Sequence, residues 1–360
     1  MLRATALAAL ACIAQLIAVP AAAPAPAATP RSGFASSIWL PFWLPGSVDE
    51  VSGNADVFRT ASLFWYEAAS CSSIRLEPGG GDSRTIQRLR ARGLHVLATV
   101  VGTGLPPRAA IRCFSNSTSR DAHVRRIVRL ATHGHYDGID VDYETLAHTT
   151  DPHQAMRVQH AFDLFVSDLC NALHAHGKQC TVTVMPRVDD STRVWLGKVI
   201  PAVYDYGAIA AAADRMRVMA YDEHSGSFGP GPVAGYPWVK RVIAYTATKT
   251  TLSKVELGIP LYGRDFARHN SVAVSSNEAL ALARRYGATP RFDAAQREET
   301  FRYRSNGVRH TVWFSSPRAV AARTSLALAD SMAGAAYWAA TMDAPGTWRA
   351  VRRVVTQPPR

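Results

Sequence analysis

Lysine is nearly missing from this chain of 360 residues: five of its 40 basic side chains are Lys and the others are Arg. The formal net charge is still +12, a field that suits a polyanionic partner such as a bacterial wall polymer. The arginines are dispersed and accompany no nucleic-acid-binding motif, which argues against DNA or RNA. Metal-ligand spacing is missing as well. No Cys-x-x-Cys occurs among the five cysteines, and the His-x-His just before the fourth predicted strand, His133 and His135, falls in a predicted solvated loop. No G-x-G-x-x-G turn follows the first predicted strand, which tells against a doubly wound dinucleotide-binding sheet. The apolar run at the start is too short, and too close to a Pro/Ala tract, to span a bilayer. Arg3, the run through Val19 and the small residues after it read instead as a secretory signal within 1–28, followed by a Pro/Ala-rich linker. The expectation is an exported, extracellular or wall-associated protein with no stable membrane insertion.

Export makes the remaining cysteines, Cys71, Cys113, Cys170 and Cys180, candidates for two disulfides. Three pairings exist. Cys170–Cys180, from a helix end to the next strand, and Cys71–Cys113, between two loops, are the favoured ones. With 48% hydrophobic residues the chain can bury a large core, enough for one barrel with insertions.

Strand and helix signals alternate along the rest of the chain. Strands are expected at 37–43, 61–68, 95–102, 139–144, 181–188, 215–222, 255–263 and 334–340. Helices are expected at about 119–133, 151–176 and 237–249, with a basic one before the third strand and a closing one at 347–355. Eight repeats of strand and helix call for parallel strands with crossover helices, and the count agrees with a (β/α)8 TIM barrel over 33–357.

The stretch YDGIDVDYE at 136–144 carries the chemistry. On a strand, Asp140, Asp142 and Glu144 share one face, and Ile139, Val141 and Tyr143 share the other. Like charges lined up this way repel unless a proton is shared, a cost more often found at a functional site than in a scaffold. D-x-x-D-x-D-x-E on a strand resembles the signature of glycoside hydrolase family 18, the chitinase family. MAYD at 219–222 resembles that family's M-x-Y-D element, and Trp338 in GAAYWAA resembles its tryptophan on the eighth strand. The third strand departs from the pattern, with TVVGTG in place of S-x-G-G, which touches the packing of the barrel floor rather than the acid.

The resemblance implies a glycosidase acting on N-acetylglucosamine polysaccharide, as a monomer, with neither metal nor cofactor. Glu144, highest at the barrel mouth, would protonate the leaving oxygen, its own pKa raised by Asp142. The 2-acetamido oxygen of the substrate would attack in place of an enzyme nucleophile. Asp142 would orient that group, Asp140 would support Asp142, and Tyr221 would bond the acetamido oxygen. Trp338 would floor the reacting sugar, and Met219, Asp222, Tyr66, Met185 and Arg264 are further substrate-binding candidates. Asp137 would serve structure near the strand's start. A small α+β insertion between strands seven and eight is also implied, at 267–314. The run PGPVAGYPWV resembles bacterial members that cleave spore-cortex peptidoglycan, although the LysM repeats common in them are not visible here. A non-catalytic, lectin-like barrel is the competing reading.

Overall fold

The computed structural model describes residues 34–190, 193–195, 198–200 and 203–356, so the predicted signal and linker lie outside the described residues. Eight parallel strands close on themselves inside a ring of helices. In chain order the strands and their first attachments are β1 (Ala35–Pro41), β2 (Thr60–Ser70), the short antiparallel edge strand β3 (Ser73–Leu76), β4 (His95–Val101), β5 (Gly138–Asp142) and β6 (Gln179–Val184). A small hairpin, β7 (Arg193–Trp195) and β8 (Lys198–Ile200), precedes β9 (Arg215–Val218) and β10 (Val255–Pro260). The last barrel strand, β16 (Gly334–Trp338), pairs with β1, and β1 pairs with β2, which completes the (β/α)8 cylinder.

Alternation along each strand sorts the side chains. On β5, Ile139 and Val141 turn outward and are fully buried, as is Val182 on neighbouring β6. The inward residues are polar: Ser37, Ser62, Thr99, Asp140, Thr183, Arg217 and Glu256 are all buried inside the cylinder. Barrels of this kind are ordinarily filled by branched aliphatics. A charged interior is tolerable only when every group finds a partner.

The helices begin where capping residues allow. The Asn116 side chain accepts the Ser119 amide at 3.0 Å and opens α4 (Ser117–His133), which reads the Asn116-Ser117-Thr118 sequon as a helix cap. Asp151 caps α5 (Pro152–His174), with Pro at its first turn. Both favoured disulfides form, with Cα atoms 5.6 Å apart for Cys71–Cys113 and 5.2 Å for Cys170–Cys180. Cys113 sits on a helix, α3 (Pro107–Ser115), rather than on the loop that the sequence suggested.

Seven of the eight barrel strands end earlier than their sequence pattern suggested, all but the second. The acidic strand stops at Asp142, and the sixth barrel strand stops at Val218. The seventh stops at Pro260, and a new strand, β11 (Tyr262–Ala267), follows it at once. The antiparallel sheet therefore begins at Tyr262, not at 267. It continues through β12 (Asn270–Ser275), β13 (Arg291–Asp293), β14 (Glu298–Ser305) and β15 (Val308–Phe314), in the spatial order β12-β11-β15-β14-β13. The helix Ser276–Arg285 covers one face of it, with Ala279 and Ala283 packed on Phe301, Val312 and Phe314.

The helix Pro317–Ala329 belongs to the barrel: its Val320, Leu326 and Ala327 join the main core. It also ties the sheet down. Arg323, fully buried, lies 3.2 Å from the equally buried Glu298 of β14. Glu298 in turn accepts the backbone amides of Val233 and Ala234, at 2.8 and 3.2 Å, from the loop after the sixth barrel strand.

Candidate active site

Glu144 lies just past the end of β5, on the first residue of a turn that becomes the 3-10 helix Thr145–Ala147, and it is exposed. The early end of the strand puts it on that turn instead of at the last position of a strand. Tyr143, between Asp142 and Glu144, is fully buried behind the sheet. Its ring stacks on Phe165, centroids 5.6 Å apart, and its hydroxyl meets Nε2 of His123 at 2.8 Å. Nδ1 of His123 is 2.8 Å from the carbonyl of Cys71, so the Cys71–Cys113 bridge backs the same cluster. Burial pushes the His123 imidazole down to about 4, which makes it a neutral hydrogen-bonding partner at ordinary pH.

The departing third-strand sequence has a local reason here. A Cβ on Gly102 would stand 2.6 Å from the Tyr143 ring, and one on Gly104 would stand 2.0 Å from the Ala69 carbonyl oxygen. Gly102 donates its amide to the Asp142 carbonyl at 3.1 Å, and the Thr145 hydroxyl donates to the Gly102 carbonyl. TVVGTG thus lets the chain pass close under the acidic turn.

The two inward aspartates have opposite environments. Asp140, with no exposure, accepts from Trp39 Nε1 at 2.7 Å, Thr99 at 2.9 Å, Thr183 at 2.8 Å and Arg217 at 3.0 Å. Asp142 is buried too, yet its Oδ1 has no hydrogen-bond partner among the described residues. Burial pushes its carboxyl well above the usual carboxylate range. The charges of Glu144 and Asp140 push it the same way, and Arg217 opposes them. Burial and both neighbouring acids thus favour the protonated form of Asp142.

This proton links stability to pH. A carboxyl whose native pKa lies above its unfolded value of 3.8 binds more protons folded than unfolded, so its contribution falls as pH rises through that window. Asp142→Asn keeps the shape and removes the titration. Thermal melts from pH 4 to 9 should show the variant gaining on the wild type steadily as pH rises. A constant gap between the two curves would remove the proton from Asp142.

The remaining candidates divide into two groups. Met219 and Tyr221 are buried just beyond β9, and Asp142, Glu144 and Asp222 all raise the pKa of the Tyr221 hydroxyl, behind burial as the larger cause. Asp222 adopts a left-handed backbone, φ 60°, and accepts from Tyr262 at 2.6 Å and from Arg264 Nε at 2.7 Å. Met185 follows β6 directly and is half-buried, its carbonyl accepting from Tyr206. Trp338 ends β16, with its ring 5.1 Å from Phe64 and 5.8 Å from Trp39. Because Trp39 also donates to Asp140, the aromatic floor and the acids are joined through one indole.

Tyr66 and Asp137 stand apart from this group. A register shift between Phe64 and Tyr66 pairs Tyr66 with Val100, so Phe64 meets Trp338 while the Tyr66 hydroxyl meets Tyr136 at 2.9 Å. Tyr66 is thereby withdrawn from the site. Asp137, at the opposite end of the strand, accepts from Arg90 at 2.6 Å and from the Val96 amide at 2.7 Å. His133, the last residue of the helix Ser117–His133, and His135 just beyond it lie at that far end also. Sequence reading missed Trp39, Thr99, Thr183, Arg217 and Glu256. Their signal was present, as inward positions of strands at the same barrel level as Asp140, but each is unremarkable within its own segment.

The family model for glycosyl hydrolases family 18 matches residues 53–343. This chain belongs to glycosyl hydrolases family 18. Among curated family relatives, a protein of Bacillus subtilis (strain 168) named as a sporulation-specific glycosylase, YdhD, is 28% identical over 307 residues, 83% of this chain and 70% of that one. The cortical fragment-lytic enzyme of Bacillus anthracis is 28% identical over 243 residues, 65% of this chain and 53% of that one. Among solved structures, a chitinase from Chromobacterium violaceum ATCC 12472 superposes with a TM-score of 0.79 at 26% identity, covering 90% of this chain and 100% of that one. Among the described residues no helix is long and apolar enough to cross a membrane.

Proposed function

We propose that this chain is an exported glycoside hydrolase that cleaves β-1,4 bonds in N-acetylglucosamine glycans with retention, the substrate's own acetamido group acting as nucleophile. Membership of family 18 supports hydrolysis of N-acetylglucosamine-containing glycans. The mechanism follows from how the carboxyls are occupied. A retaining enzyme with its own nucleophile needs an ionised, accessible carboxylate beside the anomeric carbon. Asp140 is saturated by four donors inside the barrel, and Asp142 keeps its proton. Neither is equipped to attack.

A protonated Asp142 can instead donate to, and orient, the acetamido group while positive charge develops on it, with the Tyr221 hydroxyl as a second donor. Glu144, on its exposed turn, reaches the leaving oxygen. Trp338 offers an indole face to the sugar. The observation that carries this reading is the buried Asp142, its Oδ1 without a partner among the described residues, between a clamped Asp140 and an exposed Glu144.

The test is inhibition by a thiazoline analogue of the cyclic oxazolinium intermediate. Binding at least about a hundredfold tighter than N-acetylglucosamine itself is expected of an intermediate mimic. Turnover that is untouched by the thiazoline would reject acetamido participation.

A further inference from the structure

The insertion sheet has one covered face and one open face. Register pairs Phe266 of β11 with Thr311 of β15, and Arg304 of β14 with Arg309 of β15, so these four side chains share the face opposite the Ser276–Arg285 helix. At the barrel end of that face Arg264 bonds Asp222, the neighbour of Tyr221. At the far end lies an open pocket of about 470 Å³, whose walls are Phe266 and Pro230 with Arg268, Arg304, Arg309 and Thr311. No Asp or Glu lines it.

Arg75, Arg90, Arg120, Arg217, Arg264, Arg323 and Arg352 each sit against a carboxylate. Arg304 has only the Gly307 carbonyl, at 3.3 Å, and neither Arg268 nor Arg309 is ion-paired among the described residues. Three guanidinium groups brought round one cavity repel each other until an anion enters. Planar forks suit a carboxylate, which they grip through two parallel hydrogen bonds. Phe266 and Pro230 add an apolar wall for the carbon skeleton that bears it.

We propose that this arginine pocket binds the carboxylate substituent of an acid-bearing N-acetylated glycan, and so selects murein over chitin; the idea rests on the glycosidase reading above. Four residues of extended chain separate Arg264 from Arg268, roughly 13 Å at the rise of a strand. That is the span of a short oligosaccharide along this face, from the Asp222–Arg264 pair beside Tyr221 to the pocket. Chitin carries no anion along its length, whereas every second sugar of a murein strand carries a lactyl ether and, on it, a peptide. A bare lactyl group offers its own carboxylate, and where an amide bond to a peptide has consumed it the peptide's carboxylates offer the same chemistry.

The test uses the full exported chain with Glu144→Gln, so that sugars bind without turnover, with and without the added pair Arg304→Ser and Arg309→Ser. Both arginines are exposed, so folding is retained. Calorimetry compares chitotetraose, a peptide-free tetrasaccharide of alternating N-acetylglucosamine and N-acetylmuramic acid, and the same tetrasaccharide bearing peptides. The arginine variant should lose roughly tenfold or more in affinity for acid-bearing sugar, the scale of hydrogen bonds to a charged group, and nothing for chitotetraose. Loss confined to the peptide-free muramyl sugar assigns the lactyl carboxylate, which the other sugar has spent in its amide bond; loss confined to the peptide-bearing one assigns a peptide carboxylate, and loss on both assigns either carboxylate to the same pocket. No loss on either, or an equal loss on chitotetraose, overturns the pocket. Wild-type protein that turns over none of the three sugars would reject the hydrolase reading, while the binding comparison still decides the pocket.

Discussion

Replacing Glu144 with Gln is expected to slow glycan cleavage about a thousandfold or more while leaving a folded protein that still binds sugar. General acid catalysis contributes about 10²–10⁴-fold where the donor is well placed. An amide of the same shape cannot release a proton to the leaving oxygen. The cost to stability is small because Glu144 is exposed on the turn beyond β5, and surface changes of this kind stay within about 0.5 kcal/mol. Reducing-end release from chito-oligosaccharides, read beside a thermal melt, separates the two effects. Undiminished release by a folded variant would dismiss the mechanism.

The second large effect concerns stability and lies at the barrel's centre. Arg217 is 1% exposed and bonds Glu256 at 2.7 Å, Asp140 at 3.0 Å and Ser62 at 2.8 Å. Its guanidinium also stands 5.0 Å over the Trp39 ring. Arg217→Ala leaves two fully buried carboxyls without their cation. Breaking a buried pair in this way costs about 3–5 kcal/mol, and here one arginine serves two partners. Denaturant unfolding should show at least that loss, together with a lowered kcat, since Asp140 backs Asp142.

Replacing all three charges, with Arg217→Met, Asp140→Asn and Glu256→Gln, should recover much of the stability, because no bare charge is then buried. It should recover no activity. A single Arg217→Ala variant losing under about 1 kcal/mol would mean that the interior is wet rather than sealed.

Much of this was readable beforehand because alternation is strictly local. Eight apolar and polar periods gave eight strands, and the run from Asp137 to Glu144 marked the fourth. The endpoints were less readable. The pattern of alternation runs on through Tyr143 and Glu144, but hydrogen bonding stops at Asp142, where Gly102 and Thr145 fold the chain into a turn. VELGIPLYG reads as one strand, yet Pro260 has no amide to donate, and the sheet partner changes across Leu261 from the barrel to β15.

Tyr66 illustrates the same limit. Its place on an aromatic strand suggested the cleft, and a single extra residue at the bulge sent it to the other side. Arg217 and Glu256 were invisible for a different reason. Each gains meaning only from residues far away in sequence, Ser37 and Ser62 among them, that closure of the barrel brings beside it.

The buried Arg323–Glu298 link fixes the insertion to the helix that returns the chain to the last barrel strand. A wall anchored at its root by charges sealed from water does not swing like a lid. On the proposed function the wall is therefore in place before any sugar arrives, so binding needs no prior shift of it to a rarer closed form.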